Sequence, residues 1–371
     1  MSKAAELAAL IGSQTALSNR NLIINGAMQV AQRGTSFTSQ TGVAYHIDRF
    51  ETQAYNVGTG VYKVEQSTEA PDGFYNSLKY SCTTADTSQD ANNQFYIQQQ
   101  IEAQNIYQLK FYEANPDSVT ISFYVRSNTT GSYGMSLKLS DNNSSDSSTD
   151  TRIYPTTFTI SSADTWEKIT KTITLDSSTS ETRPTGNNMG MALLIWLAAG
   201  SSRQAATADA WADNGNTATT VDADDFLGST SNNFHLTGVQ LEVGETATPF
   251  EHRSFGDELA RCDRYFQSYD LSGSYVGLCA AQCASSTESL AAMTFRTPMR
   301  ASPSMSFNNL ILTDRIGYDS DVSQCAVQGS SSGGVSWRSV HASNSGSAHD
   351  AQHITSKNNT TDAYARFDAE L

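Results

Sequence analysis

Charge is scarce in this chain. Only 16% of its 371 residues are Asp, Glu, Lys or Arg, and 23 basic against 38 acidic residues leave a formal net charge of −15. No basic stripe is present to displace counterions from a phosphate backbone, which argues against nucleic acid as a partner. Segments with the Ala, Leu, Glu and Lys richness of long helices are few, whereas Ser, Thr, Asn and Gly are plentiful. That balance suits β-sheet with a hydroxyl- and amide-rich surface. Long apolar runs are missing too. "MALLIWLAAG" from Met191 is about half of the ~20 residues needed to cross a bilayer, so it reads as a strand buried on both faces and no membrane insertion is expected. The opening "MSKAAELAALIGS" has one lysine, and Glu6 interrupts its apolar run, unlike an export signal.

Cysteine is sparse and odd in number: Cys82, Cys262, Cys279, Cys283 and Cys325. Such a scattered set makes no disulfide framework, and free thiols in a reducing cytoplasm are expected. "CAAQC" has no second cysteine pair to complete a zinc site. In a strand, Cys279 and Cys283 share a face and read as core thiols. Catalytic signatures are scarce as well: no P-loop or dinucleotide fingerprint occurs. Glycoside hydrolysis needs two carboxylates across a sugar cleft. Asp222, Asp224 and Asp225 in "TVDADDF", with Glu242 and Glu251, are the candidates. An acidic loop of this kind is more often solvated or a structural cation site, although no EF-hand spacing is present. No enzymatic activity and no cofactor are expected.

What the chain does have is alternation. A short helix is predicted over Ser2–Leu17, with Leu7, Leu10, Ile11 and Leu17 on one side; a helix of that length is marginal alone and needs a partner. From Asn21, "GVYKVEQS", "SLKYSCTT", "FYIQQQIEA", "VTISFYVRSN", "YGMSLKLS", "WEKITKTITL" and "FHLTGVQLEV" alternate apolar and polar residues as half-buried strands do. Without long helices between them, they predict an all-β, two-sheet antiparallel sandwich. The last of these strands carries Leu236, Val239, Leu241 and Val243, with an irregularity expected at Gly238. Pro249 blocks its continuation, and Ser254 with Asp257 resembles a capping box. Phe255, Leu259, Cys262 and Phe266 then fall on one helical stripe. Beyond it, short strands predict a second β-domain. The expected organisation is an N-terminal helix (1–20), a sandwich (21–252), a linking helix (253–267) and a C-terminal β-domain (268–371).

"TGVQLEVGETATPFEHRSFGDELARCDRYF" resembles a junction found in bacteriophage tail-fibre and related virion proteins, in which a Gln-Leu-Glu strand leads through an Ala-Thr-Pro-Phe-Glu loop to a Glu-Leu-containing helix. "NLIINGAMQVAQRG" with "YHIDRF" is similar to the opening of that family's sandwich, and "FRTPMRASPSMS" with "YARFDAEL" to its C-terminal domain. The resemblance implies a jelly-roll, carbohydrate-binding-module-like first domain, a homotrimer, and a place in the virion after synthesis in the host cytoplasm. Its partners would be other phage tail or capsid proteins and a host-surface glycan or protein. The chain departs from fibres that have a long anchor and shaft, because its sandwich begins near residue 21. Virion attachment is therefore expected through the short helix, at Leu7, Leu10, Ile11 and Leu17, or through a sandwich face, and the trimer seam at Phe255, Leu259, Cys262 and Phe266. The resulting expectation is host attachment without enzymatic activity, with a structural adaptor or decoration protein as the alternative.

Sugar binding rests on exposed aromatics with directional polar groups. Trp166 and Trp196 lie in strands and read as core, whereas Trp211 and Trp337 are the surface candidates. Trp337 with Arg338 and His341 is the expected receptor contact, because the last domain of a fibre is normally the distal one. His349 and His353 frame "HDAQH" and read as exposed polar residues rather than a metal site.

Overall fold

The computed structural model describes residues 19–88, 90–141, 151–204, 207–213, 225–314, 319–341 and 351–371. Leu7, Leu10, Ile11 and Leu17, the expected virion-attachment residues, lie outside that set, as do Asp222, Asp224 and His349. The chain divides into two compact units, Met1–Glu258 together with Leu371, and Leu259–Glu370.

The first unit is an antiparallel sandwich. Its strands are β1 (Ser36–Gln40), β2 (Ala44–Tyr45), β3 (Glu51–Tyr55), β4 (Val61–Ser67), β5 (Ser77–Thr84), β6 (Gln94–Glu102) and β7 (Ser118–Ser127). They continue with β8 (Gly131–Ser140), β9 (Thr151–Ile160), β10 (Glu167–Thr174), β11 (Met189–Ala199), β12 (Ala212–Asp213) and β13 (Asn233–Val243). One sheet runs β1-β4-β5-β13-β7-β10 and the other β12-β9-β8-β11-β6-β3-β2. The chain crosses between sheets after β1, β3, β5, β6, β7, β9, β10 and β12, a jelly-roll-like winding.

Period-two alternation builds the core. Tyr62, Val64, Leu78, Tyr80, Ile121, Phe123, Leu236 and Leu241 meet Phe95, Ile97, Met135, Leu137, Met191, Leu193 and Ile195 of the facing sheet. β11 is buried on both faces, as its unbroken apolar run implied: Ala192, Leu194 and Trp196 join a separate cluster with Ile153. There the Trp196 ring packs 4.4 Å from that of Tyr96 and its Nε1 donates to Ser136 Oγ at 3.2 Å. β10 lies at a sheet edge, where Lys168 and Lys171 discourage further strand pairing. Gly238 is the expected irregularity. The register of β13 against β7 shifts between Thr237 and Gln240, and Gly238 has φ +63°. A Cβ there would lie 2.7 Å from the Phe74 ring, so only glycine admits that ring.

The second unit is also β. A closed barrel is formed by β15 (Gly277–Ser285), β16 (Glu288–Thr294), β20 (Gly334–His341), β19 (Asp319–Ser331), β18 (Leu310–Thr313) and β21 (Ala351–Ser356). β14 (Phe266–Asp270), β22 (Tyr364–Asp368) and β17 (Ser304–Asn308) make a three-stranded sheet. Cys283 and Ala281 are buried and Cys279 packs partly against the core, so the "CAAQC" residues share the barrel's inward face as expected. The five cysteines are free. Burial pushes the Cys279 thiol up to about 12 and Cys325 to about 11, which keeps both protonated and unreactive.

Helix α1 (Phe255–Asp263) begins as the sequence implied. Ser254 Oγ accepts the Asp257 N–H at 3.2 Å, and the Ser254 hydroxyl donates to Asp257 Oδ2 at 2.6 Å. The expected spacer over 253–267 is corrected in two respects. The helix stops at Asp263, so Phe266 belongs to β14, where it pairs with Asp368. The boundary between units also falls inside the helix, after Glu258.

Two buried histidines make the sandwich sensitive to acid. His46 touches Thr52 Oγ1 at 3.0 Å and Gln40 Oε1 at 3.2 Å. Burial, helped by the Arg33 charge, lowers it from 6.5 to about 4. His235 lies 3.3 Å from Ser77 Oγ, and burial with the Lys79 charge lowers it likewise to about 4, against the opposing pull of Glu69. Between pH 6.5 and 4 the unfolded chain binds protons that the folded chain refuses. Their contribution is therefore complete above pH 6.5 and is lost as pH falls towards 4, on the order of 3 kcal/mol for each histidine. Thermal unfolding of the sandwich should drop in midpoint between pH 7 and pH 4.5, and His235→Gln should flatten the slope. An unchanged midpoint over that range would contradict the assignment.

Candidate functional site

The sequence junction first proves to be a clamp. Asn21 Oδ1 accepts the N–H groups of Ile23 and Leu241 at 3.0 and 3.1 Å, and its Nδ2 donates to Val239 O at 3.1 Å. Asn25 spans Val30 N and O, both at 2.9 Å, and Asp48 O at 3.0 Å. Glu251 accepts the Asn19 and Asn21 amides at 2.5 and 2.8 Å, and Glu258 accepts that of Asn25 at 2.5 Å. Gln240 Oε1 accepts Glu251 N at 2.8 Å, while Glu242 accepts Thr248 N at 2.8 Å. These polar residues replace the ladder partners that an irregular buried loop would otherwise lack. Burial opposes ionisation of Glu251, yet hydrogen bonds from the Asn21 and Asn19 amides and the Arg253 guanidinium outweigh it and hold the carboxyl below its ordinary range. Glu242 and Glu251, weighed above as catalytic carboxylates, are thus committed to the backbone.

Beside this clamp lies an open groove of about 480 Å³ lined by Gln29, Gln66, Tyr75, Asn76, Arg253 and Phe255. That volume lies within the roughly 300–1,000 Å³ typical of ligand sites. Each wall has a local cause. The turn after Pro71, closed by Phe74 N to Pro71 O at 3.1 Å, tucks Phe74 against Phe250, Tyr124 and His252 and leaves the adjacent Tyr75 outside. Phe255 is the first residue of α1, projecting from the Ser254 cap. Gln66 Nε2 donates to Met28 O at 2.7 Å and Gln29 O at 3.1 Å, fixing the amide and leaving its Oε1 as an acceptor. Tyr75 and Phe255, at 76% and 56%, are the two most exposed large hydrophobic residues described, and both face this one groove. The side-chain amides of Gln29 and Asn76 have no protein partner among the described residues, although Asn76 is 8% exposed.

The residues singled out from sequence are placed elsewhere. Trp337 is fully buried in the barrel, its Nε1 donating to Ser339 Oγ at 3.1 Å, so it cannot stack on a sugar. His341 is buried beside it on the same strand face, with Nε2 3.3 Å from Ser289 Oγ. Arg338 lies on the opposite face of β20 and pairs with Glu288 at 2.9 Å. The expected Trp337–Arg338–His341 contact is therefore not a single surface. Trp211 is half-buried and held by Nε1 to Thr174 O at 2.9 Å. Trp166 is half-buried beside His235 rather than fully in the core. His353 is exposed on β21, as expected.

The expected trimer stripe is also broken up: Phe255 is exposed, Leu259 half-buried, and Cys262 and Phe266 are buried within the chain. A seam through Cys262 and Phe266 is not available to another copy. The groove itself escaped the sequence reading, which sought sugar platforms among tryptophans. The signal was the tyrosine in "PDGFYNS", an aromatic following a turn.

No protein-family model matches this sequence, and no curated protein matches it. Solved structures do. One is the enzymatically active domain of bacteriophage CBA120 tailspike protein 4, at 10% identity and TM-score 0.30, covering 61% of this chain and only 22% of that one. Another is a xylan-binding domain from Paenibacillus barcinonensis, at 16% identity and TM-score 0.30, covering 54% of this chain and 94% of that domain. A third is a family 11 carbohydrate-binding module of a Clostridium thermocellum cellulosomal cellulase, at 10% identity and TM-score 0.29, covering 57% and 100%. Likenesses this distant assign no function.

Proposed function

We propose that this chain is a non-enzymatic phage virion protein, a tail-fibre component that attaches the particle to a glycan on the host cell surface through the groove of its sandwich. The observation that carries the reading is the convergence of the two most exposed large hydrophobic side chains, Tyr75 and Phe255, on one groove with unpartnered amides. Aromatic faces take the C–H faces of a sugar while amides meet its hydroxyls. The junction sequence supports the virion assignment, and synthesis in the host cytoplasm agrees with five free thiols. Assembly into a trimer would convert three weak contacts into avidity. This reading moves host recognition from the C-terminal domain to the sandwich.

The exposure of Phe255 also fits a second reading, a structural adaptor or decoration protein whose copies or neighbours cover this face. Glycan-array binding by the labelled full chain separates the two. Binding should be lost in Tyr75→Ala at an unchanged unfolding temperature. No binding, together with a Phe255→Ala variant that changes mass in light scattering, would favour the adaptor.

A further inference from the structure

We infer that the groove takes a neutral glycan, and that Arg253, the cation on its wall, is a scaffold rather than an anion receptor. This rests on the reading of the groove as a glycan site. The Arg253 side chain is 7% exposed, and both terminal nitrogens of its guanidinium are engaged, while its Nε is buried out of reach of a ligand. Nη1 donates to Ile23 O at 3.1 Å and lies 3.5 Å from Glu258 Oε1. Nη2 donates to Asn21 O and to Glu251 Oε2, the latter at 3.1 Å. Two carboxylates against one guanidinium leave surplus negative charge beside the groove, on a chain whose net charge is already −15. A sialylated, uronate or phosphorylated sugar would have to strip Arg253 from the clamp or bind without a counter-charge, and both cost affinity.

The remaining lining groups point the same way. A carboxylate or phosphate only accepts hydrogen bonds, whereas a hydroxyl both donates and accepts. Gln66 presents its Oε1 because its Nε2 is committed to two carbonyls. That acceptor suits a hydroxyl donor and repels an anion. Gln29 and Asn76 offer both a donor and an acceptor, and Tyr75 and Phe255 supply apolar faces that any pyranose can cover. Specificity for neutrality thus comes from a polar wall whose one lining cation is held in the clamp's own ion pairs, which removes the group that would select an acid.

Isothermal calorimetry on the full chain tests this with two oligosaccharide sets. The neutral set comprises glucose, mannose, galactose and N-acetylglucosamine oligomers; the anionic set comprises galacturonate, sialylated and mannose-phosphate oligomers. Neutral sugars should bind with affinity changing by less than about twofold between 50 and 300 mM NaCl, because no ion pair is exchanged. Tyr75→Ala should weaken that binding by about tenfold or more. Preferential binding of the anionic set, weakened about tenfold over the same salt range, would overturn neutrality and leave the groove as a glycan site. Heat from neither set, or heat indifferent to Tyr75→Ala, would overturn the groove reading and this inference with it.

Discussion

Trp337→Ala should destabilise the barrel by about 3–5 kcal/mol. The ring is 0% exposed, packs in the cluster that includes Met299, Val335, Ile354 and Phe367, and lies 6.4 Å from the Phe367 ring by centroid. Truncation would leave an indole-sized cavity in a closed barrel whose paired strands cannot collapse onto it, and would free Ser339 Oγ from its Nε1 donor. The neighbouring Arg338→Ala serves as the contrast. That side chain is 41% exposed and its ion pair with Glu288 is of the kind worth less than about 1 kcal/mol. Denaturant unfolding read separately for the two units would show the transition of Leu259–Glu370 moving sharply for the tryptophan variant and hardly for the arginine one. A Trp337→Ala protein with the parental transition would mean that the ring is not a core element.

The second large effect is expected at Asn25. This residue is fully buried, holds φ +59°, and makes three side-chain hydrogen bonds to Val30 and Asp48. Asn25→Ala removes those bonds, leaving buried backbone groups unpaired, and puts an unsuited residue in left-handed backbone. The combined cost is about 3–5 kcal/mol. Asn25→Gly relieves the backbone term alone and should recover about 1 kcal/mol of it. A loss below about 1 kcal/mol in Asn25→Ala would show that the loop reorganises freely. Because Glu258 accepts the Asn25 N–H, both variants should also loosen the first turn of α1 and, through Phe255, weaken groove binding.

The β class, the sandwich, the doubly buried strand at Met191 and the glycine irregularity at Gly238 were legible in the sequence, because alternation and a Cβ-free residue act locally. The junction could be read as a unit too, but not as a clamp: Asn21 and Asn25 meet Leu241 and Glu258 more than 200 positions away. Part of the Trp337 error was itself legible, since neighbouring residues of a strand point to opposite faces and Arg338 could not share a surface with Trp337. What alternation does not say is which face turns inward. In "GVSWRSVH" one set is Val335, Trp337, Ser339 and His341 and the other Gly334, Ser336, Arg338 and Val340, and each mixes apolar with polar side chains. Closure of the barrel chose the first. The groove was decided in the same way: residues 29, 66, 75, 76, 253 and 255 have no common period and meet only when β4, the turn before β5 and the start of α1 are brought together. Local pattern determines which elements form. Which of their side chains remain in water depends on the long-range contacts that cover the others.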